Sequence, residues 1–224
     1  MPMSANNSPA RVLISDFDGT LTQRDFYQVF RDRYLKGDAS DFWAAYRAGQ
    51  MTHFEALRKI FEAAAPGEQA LWSLTSLMNL EPELAGCVSR LRSQGWKIVI
   101  VSAGCRWYID RLLAQAGVSL PVHANLGSIV EGRLVMERPV DSPFFSHENG
   151  IDKPAVVRHY LDAGNEVAFA GDGYPDLEAA LLTPARQRFA RGDLAEALAR
   201  QSEPFQTFGR WRDVARALAP GGQG

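Results

Sequence analysis

The chain has 224 residues and a formal net charge of −2, a length that suits one domain or one domain with a modest insertion. Hydrophobic residues make up 46% and charged residues 22%, which excludes intrinsic disorder. The cations are not clustered, which argues against a nucleic-acid binder, and no apolar run approaches the roughly 18 residues of a membrane span.

The N-terminus has neither the basic start nor the apolar stretch of a signal peptide. The two cysteines, Cys87 and Cys105, are too few for a disulfide framework. We therefore expect a soluble cytoplasmic protein with no nucleic-acid or membrane partner. The sequence does not choose between a monomer and a homodimer.

Short apolar segments alternate with helical patterns along most of the chain. Residues 12–15, 97–102 and 166–170 predict buried parallel strands. Helical spacing of apolar residues predicts five helices, at 81–94, 106–115, 154–161, 175–182 and 193–200. Glu131-Gly132 predicts a β-hairpin between residues 123 and 139. This alternation indicates an α/β fold with a doubly wound parallel sheet.

The segment 23–80 differs from the rest because it contains helix signals and few strand signals. Its candidate helices cover residues 25–35, 41–48, 53–64 and 68–78. We interpret it as a helical insertion after the first strand. The predicted domains are a catalytic core of residues 1–22 and 81–224 and a helical domain of residues 23–80.

The motif Asp16-Phe17-Asp18-Gly19-Thr20 directly follows the first strand. The period of two along an extended chain points Asp16 and Asp18 to the same side, at the sheet end where ligands bind in open α/β folds. Gly19 allows a sharp backbone turn. Carboxylates this close repel each other unless a cation bridges them or one is protonated. A solvated acidic turn is the alternative for an isolated pair.

A second acidic motif, from Gly171 to Asp176, follows the strand that ends at Ala170. Capping of the next helix explains Asp176, but it does not explain Asp172 at the strand tip. Carboxylates converging from two strands form an oxygen-rich site that suits Mg²⁺.

Two further segments are suited to binding an anion. Ser102-Ala103-Gly104 lies at the tip of the second strand and the start of the next helix, where a hydroxyl and free amides can hold a phosphate. Lys153 precedes Pro154 at another helix start, where a cation is unfavourable for the helix itself. A bound phosphate facing the lysine would account for that position.

In this order, the four motifs resemble those of the haloacid dehalogenase-like superfamily of phosphotransferases. The resemblance implies that Asp16 is the nucleophile that forms an aspartyl-phosphate and that Asp18 is the general acid and base. It implies that Asp16, the main-chain carbonyl of Asp18, and Asp172 bind Mg²⁺ with support from Asp176. Ser102 and Lys153 would hold the phosphoryl oxygens, and the helical insertion would be a cap.

The chain is most similar to the phosphoserine phosphatase-like branch, and within it to the methionine-salvage phosphatases of 2-hydroxy-3-keto-5-methylthiopentenyl-1-phosphate. Phosphoserine phosphatases usually carry Glu where Asp25 stands. The resemblance therefore implies a small phosphorylated metabolite as substrate, with phosphoserine as the alternative. Asp25, Arg47 and Arg58 are the candidate substrate residues of the insertion.

Two alternatives come from other functional classes. A receiver-like signalling module also combines an acidic cluster with Ser or Thr and Lys, but its phosphoacceptor lies on a later strand and it has no cap. A catalytically inert phosphate-binding module would share the fold. Cys105 flanks the phosphate loop but lacks the surrounding loop of a cysteine phosphatase, so we interpret it as a bystander.

Overall fold

A computed structural model describes residues 9–35 and 40–221, which contain ten α-helices and nine strands. The strands are β1 Arg11–Ser15, β2 Trp96–Cys105, β3 Val122–Val130, β4 Arg133–Glu137, β5 Phe145–Ser146, β6 Gly150–Ile151, β7 Glu166–Gly171, β8 Arg188–Ala190 and β9 Gln206–Thr207. The helices are α1 Phe26–Tyr34, α2 Ser40–Arg47, α3 His53–Glu62, α4 Glu68–Leu74, α5 Leu84–Ser93, α6 Arg106–Gln115, α7 Lys153–Asp162, α8 Leu177–Leu181, α9 Gly192–Arg200 and α10 Trp211–Leu218. Within these ranges, the helices are all too short or too polar to cross a membrane.

Seven of the strands form one sheet in the order β4-β3-β2-β1-β7-β8-β9. Every neighbouring pair is parallel except the β3–β4 hairpin, which is antiparallel and turns at Glu131-Gly132. The strand β1 lies in the middle of the sheet, between β2 and β7. The predicted doubly wound sheet and its hairpin are confirmed.

Alternating side chains of the central strands supply two separate apolar cores, as the period of two requires. In β1, Leu13 packs into one core while Val12 and Ile14 pack into the other. The first core also contains apolar residues of α5, α6 and α10, and the second contains those of α7, α8 and α9. Helices therefore cover both faces of the sheet, and its strands are buried on both sides.

The predicted helix bounds need several corrections. The helix expected at 81–94 begins at Leu84, because Glu81 is buried and its carboxylate accepts from the backbone of Glu83 (3.1 Å) in a turn. Two other expected helices are split by 3-10 turns: Thr75–Met78 follows α4, and Tyr174–Asp176 precedes α8. The short strands β5, β6, β8 and β9 and the helix α10 were not predicted.

The helical insertion packs directly onto the core rather than standing apart from it. Phe26, Phe30 and Phe61 form edge-to-face contacts with ring centroids 5.5 and 5.7 Å apart. These rings belong to the same apolar cluster as Leu13 of β1. The insertion also contacts the hairpin, since the amide of Gly67 donates to the carbonyl of Gly132 (3.0 Å). Its bounds as a separate domain, 23–80, stay a prediction.

The helix α10 packs against one face of the sheet, next to the first strand. Trp211 is fully buried and its indole N–H donates to the hydroxyl of Ser15 (3.0 Å). Asp213 caps the helix by accepting from the amide of Arg210 (2.8 Å). Ser15 immediately precedes Asp16, so α10 supports the strand end that carries the first acidic motif.

We expect Trp211→Ala to destabilise the protein by about 3–5 kcal/mol, because it removes a fully buried aromatic side chain and leaves a cavity. Urea unfolding followed by circular dichroism measures this loss. Arg216→Ala, a change at an exposed position of the same helix, is the matched control and should stay within about 0.5 kcal/mol of wild type. Equal effects of the two substitutions would contradict the assigned packing of α10.

Candidate active site

The carboxyl ends of β2, β1 and β7 open onto one cavity of about 100 Å³. The line of β1 continues into Asp16, whose amide donates to the carbonyl of Ala170 (2.9 Å). All eight site residues predicted in the core line this cavity. They are Asp16, Asp18, Ser102, Ala103, Gly104, Lys153, Asp172 and Asp176. The structure therefore brings together motifs that lie far apart in the sequence.

Gly19 makes the first turn after β1 possible. Its φ is +68°, and a Cβ built there would lie 2.1 Å from Oδ2 of Asp172 and 2.6 Å from Oδ1 of Asp25. Positive φ is costly for residues other than glycine, and the space beside Gly19 is already filled by two carboxyl groups. The role assigned to this glycine from the sequence agrees with both observations.

Lys153 is the cation of the acidic cluster. Its Nζ lies 2.9 Å from Oδ1 of Asp16 and 2.6 Å from Oδ1 of Asp176, and all three side chains are buried. Burial alone would lower the pKa of Lys153, but the two carboxylates raise it above its usual value. The lysine therefore stays charged.

The cluster contains more negative charge than one lysine balances. Asp16, Asp172 and Asp176 each offer a carboxylate oxygen, and these atoms lie within 4.8 Å of one another. Burial raises the pKa of both Asp16 and Asp172 well above the usual value, and neighbouring carboxylates raise it further. An all-oxygen donor set with excess negative charge fits Mg²⁺.

Asp172 and Asp176 have different surroundings. Oδ1 of Asp172 accepts from the hydroxyl of Thr20 (2.8 Å). Oδ2 of Asp176 accepts from the amides of Asp172 (3.1 Å) and Gly173 (3.0 Å), and its Oδ1 accepts from Lys153. Asp176 therefore holds the loop and the lysine in place with both of its oxygens. Asp172 uses one oxygen for Thr20, so its other oxygen is available to bind a metal ion.

The groups that donate hydrogen bonds to Asp18 are all neutral. Its Oδ1 accepts from the amide of Phe26 (2.9 Å), and its Oδ2 accepts from the hydroxyls of Tyr108 (2.8 Å) and Ser102 (3.3 Å). Burial raises the pKa of Asp18, although these hydrogen bonds oppose the shift. The buried Asp16 and the partly buried Asp18 thus have unlike environments.

The segment 102–104 differs from the expectation in one respect. The strand β2 continues through Cys105 with an irregular register, and α6 begins only at Arg106. Ser102, Ala103 and Gly104 therefore belong to the strand end, not to a helix N-terminus. The hydroxyl of Ser102 accepts from the amide of Gly104 (2.9 Å) and donates to Asp18 (3.3 Å), so the strand end lies beside Asp18.

The three substrate candidates of the insertion fall in different places. Asp25 lines the cavity, and burial, together with Asp18 and Asp16, raises its pKa to about 8. Arg47 is exposed on α2, and Arg58 is exposed on α3, where it pairs with Glu62 (2.7 Å). Neither arginine lines the cavity. The cavity wall on this side comes instead from Tyr27, His53, Leu57 and Phe61.

His53 and Tyr108 are cavity residues that the sequence analysis did not select. Burial lowers the pKa of His53 to about 4, so its imidazole is neutral near pH 7, and its Nδ1 is buried without a hydrogen-bond partner. Tyr108 stands three positions after Cys105, in the first turn of α6. That spacing, which returns its side chain to the strand end, is the signal that could have identified Tyr108.

Cys105 is buried beside the site, with its Sγ 3.6 Å from the carbonyl of Leu126. Burial raises the pKa of its thiol to about 12. The thiol therefore stays protonated near neutral pH, and a protonated thiol is a poor nucleophile.

The family model of haloacid dehalogenase-like hydrolases matches residues 13–181, a range that contains all four motifs. The chain belongs to this family. The expectation drawn from the motif order is confirmed, and the protein is a hydrolase.

Several known proteins resemble this haloacid dehalogenase-like hydrolase along most of its length. It is 23% identical to a 2-hydroxy-3-keto-5-methylthiopentenyl-1-phosphate phosphatase of Brevibacillus brevis over 92% of this chain and 94% of that protein. It is also 23% identical to a phosphoserine phosphatase of Lactococcus lactis, over 74% of this chain and 77% of the relative.

The solved structures agree on the fold. A hydrolase of this family from Salmonella enterica serovar Typhi superposes with a TM-score of 0.72 at 16% identity, covering 95% of this chain and 72% of the other. A phosphoserine phosphatase determined as a phospho-aspartyl intermediate analogue gives a TM-score of 0.65 at 14% identity, covering 91% and 95% of the two chains.

The raised pKa of Asp25 predicts a specific pH dependence of stability. A carboxyl group whose pKa is higher in the folded state takes up a proton on folding. Asp25 therefore lowers the free energy of unfolding more and more as the pH rises from about 4, its usual pKa, to about 8, its pKa in the folded protein. We expect Asp25→Asn to raise the Tm of the protein in EDTA by about 5 °C at pH 7.5, and much less at pH 4. Differential scanning calorimetry at both pH values measures this difference.

Asp32→Asn is the matched control because Asp32 is exposed and forms ion pairs with Arg24 and Arg31. Hydrogen bonds from Arg31 and Arg24 lower its pKa, so its loss should leave the Tm unchanged or slightly lower. A Tm of Asp25→Asn that is not raised at pH 7.5 would contradict the assigned environment.

Proposed function

We propose that this phosphatase of the haloacid dehalogenase-like family hydrolyses a small phosphorylated metabolite through a phosphoryl group carried on Asp16, with Mg²⁺ as cofactor. One observation carries the proposal. Two carboxyl groups two residues apart line one cavity, the buried Asp16 beside an ammonium group and the partly buried Asp18 among neutral hydrogen-bond donors. Such a pair supports one carboxyl group as nucleophile and the other as proton carrier, because unlike environments give two chemically equal groups different pKa values.

In the first step, a carboxylate oxygen of Asp16 attacks the phosphorus atom and the bond from phosphorus to the leaving oxygen breaks. Asp18 gives its proton to the leaving oxygen, which departs as an alcohol. Lys153, 2.9 Å from Asp16, reduces the repulsion between the anionic nucleophile and the anionic phosphate. The hydroxyl of Ser102, which donates to Asp18 (3.3 Å) in the absence of substrate, would turn to a phosphoryl oxygen together with the amides up to Gly104.

In the second step, Asp18 takes a proton from water while the water oxygen attacks phosphorus and the bond to Asp16 breaks. Inorganic phosphate leaves, and Asp16 is again a carboxylate. Asp16, the main-chain carbonyl of Asp18, and Asp172 would hold Mg²⁺, with Asp176 supporting them. When bound, the ion supplies the positive charge that allows phosphate to approach the acidic cluster.

The side of the cavity that the insertion contributes indicates the chemical character of the leaving group. Among the described residues, this side contains no cation, since Arg47 and Arg58 are exposed elsewhere and His53 is neutral. A carboxylate on the leaving group would find no partner there, although Asp25 could meet an ammonium group. We therefore favour an uncharged leaving group, such as that of the methionine-salvage ester, over phosphoserine.

Asp16→Asn should abolish hydrolysis of p-nitrophenyl phosphate, lowering the rate by at least about 10⁴-fold, because the amide is not a nucleophile. Phosphate release in the presence of Mg²⁺ measures the activity. Fluoroberyllate with Mg²⁺, which mimics a phosphoryl group on a carboxylate, should raise the Tm of the wild type and leave that of the variant unchanged. Full activity of the folded variant, or activity of the wild type without Mg²⁺, would overturn the mechanism.

A panel of phosphate monoesters tests the substrate class. We expect the highest kcat/KM with 2-hydroxy-3-keto-5-methylthiopentenyl-1-phosphate or a similar uncharged ester, at least about 10-fold above phosphoserine. Phosphoethanolamine, which keeps the ammonium group of phosphoserine but lacks its carboxylate, is the matched comparison and should exceed phosphoserine. A preference for phosphoserine over both would instead establish the alternative substrate.

A further inference from the structure

We propose that Tyr108 is a positioning residue for Asp18, holding the carboxyl group in the orientation from which it transfers a proton to the leaving oxygen. The inference rests on the proposed function, since it assumes that Asp18 is the general acid. It assigns a role to a side chain of α6 that is part of none of the four motifs.

The direction of the hydroxyl hydrogen bond follows from its two partners. The amide of Cys105 donates to the Tyr108 hydroxyl oxygen (3.1 Å), so the hydroxyl proton is free to point elsewhere. Oδ2 of Asp18 lies 2.8 Å from that oxygen and accepts a hydrogen bond from the hydroxyl group. A carboxylate oxygen can only accept a hydrogen bond, so the tyrosine is the donor.

The ring of Tyr108 is held as firmly as its hydroxyl. It is 1% exposed and stacks on the ring of Phe26, with centroids 4.5 Å apart and an interplanar angle of 18°. The backbone amide of Phe26 donates to the other oxygen of Asp18 (2.9 Å). One residue at the start of the insertion therefore contacts both the carboxyl group and the tyrosine that holds it.

Gly104 provides a second, independent observation. Its φ is not in the left-handed region, so the backbone itself does not require glycine there. A Cβ at this position would lie 2.1 Å from the Tyr108 hydroxyl oxygen and 2.4 Å from Oδ2 of Asp18. Glycine at 104 thus keeps clear the space through which the Tyr108–Asp18 hydrogen bond passes.

A residue that positions the general acid has a kinetic signature that a structural residue lacks. A proton is needed most when the leaving oxygen is basic, as in phenyl phosphate, whose phenol resembles tyrosine with a pKa of about 10. It is needed least for the more acidic p-nitrophenol. The kcat/KM value reports the steps up to the first irreversible one, which here includes departure of the leaving group.

We expect Tyr108→Phe to lower kcat/KM for phenyl phosphate by about 10- to 100-fold, a fraction of the usual contribution of general acid catalysis, and to lower that for p-nitrophenyl phosphate less than about 3-fold. Phenylalanine keeps the ring stacked on Phe26, and the Tm with and without Mg²⁺ monitors folding. Tyr160→Phe makes the same chemical change at a partly buried tyrosine outside the cavity and should leave both esters unaffected.

A double-mutant cycle completes the test. In the Asp18→Asn background, Tyr108→Phe should have no further effect on p-nitrophenyl or phenyl phosphate, because the group that it positions no longer carries a proton. Equal losses for the two esters, or additive effects of the two substitutions, would overturn the role of Tyr108 while leaving the phosphatase mechanism intact. A wild type that hydrolysed neither ester would overturn the proposed function and the inference together.

Discussion

The site depends on one buried ammonium group. Lys153 lies between Asp16 and Asp176, two of the three clustered carboxylates, and among the described residues it is the cation that forms ion pairs with them. Removing one partner from a buried ion pair leaves an uncompensated charge, which is strongly destabilising. The compact ammonium group fits between two oxygens 2.9 and 2.6 Å away, whereas the planar fork of an arginine needs a wider, bidentate partner.

The same lysine connects the site to the fold. It is the first residue of α7, a position where the helix dipole disfavours a cation, and Asp152 compensates by capping the helix through the amide of Ala155 (2.8 Å). The chain has only four lysines against 20 arginines. The placement of one of them at this helix start is explained by the carboxylates that it faces, not by the helix that it begins.

Much of the central architecture could be predicted from the sequence because its signals are local. The strand β2 contains the apolar run 98–101, and α6 begins and ends at the predicted residues. The acidic motifs were also visible, since each follows a strand whose carboxyl end had to face the ligand side.

What escaped prediction depends on contacts between distant segments. Strand β8 has three residues, too few for a pattern. The helix α10, in contrast, carries Trp211, Val214, Ala215 and Leu218 at helical spacing, so it could have been predicted. The exposure of Arg47 and the neutrality of His53 depend on how the insertion packs, which charge and spacing do not reveal. Tyr108 reaches Asp18 only because β2 extends to Cys105 and turns α6 towards the site.

The central position of β1 has a consequence for how the molecule folds. Thr20, just after this strand, and its partner Asp172 are 152 positions apart, and Ser15 and Trp211 are 196 apart. Closing such long loops is entropically costly and slows folding. Asp16 and Asp18 therefore meet their lysine and the second acidic loop only after segments far apart in the chain have packed together. No local segment of the chain forms the site by itself.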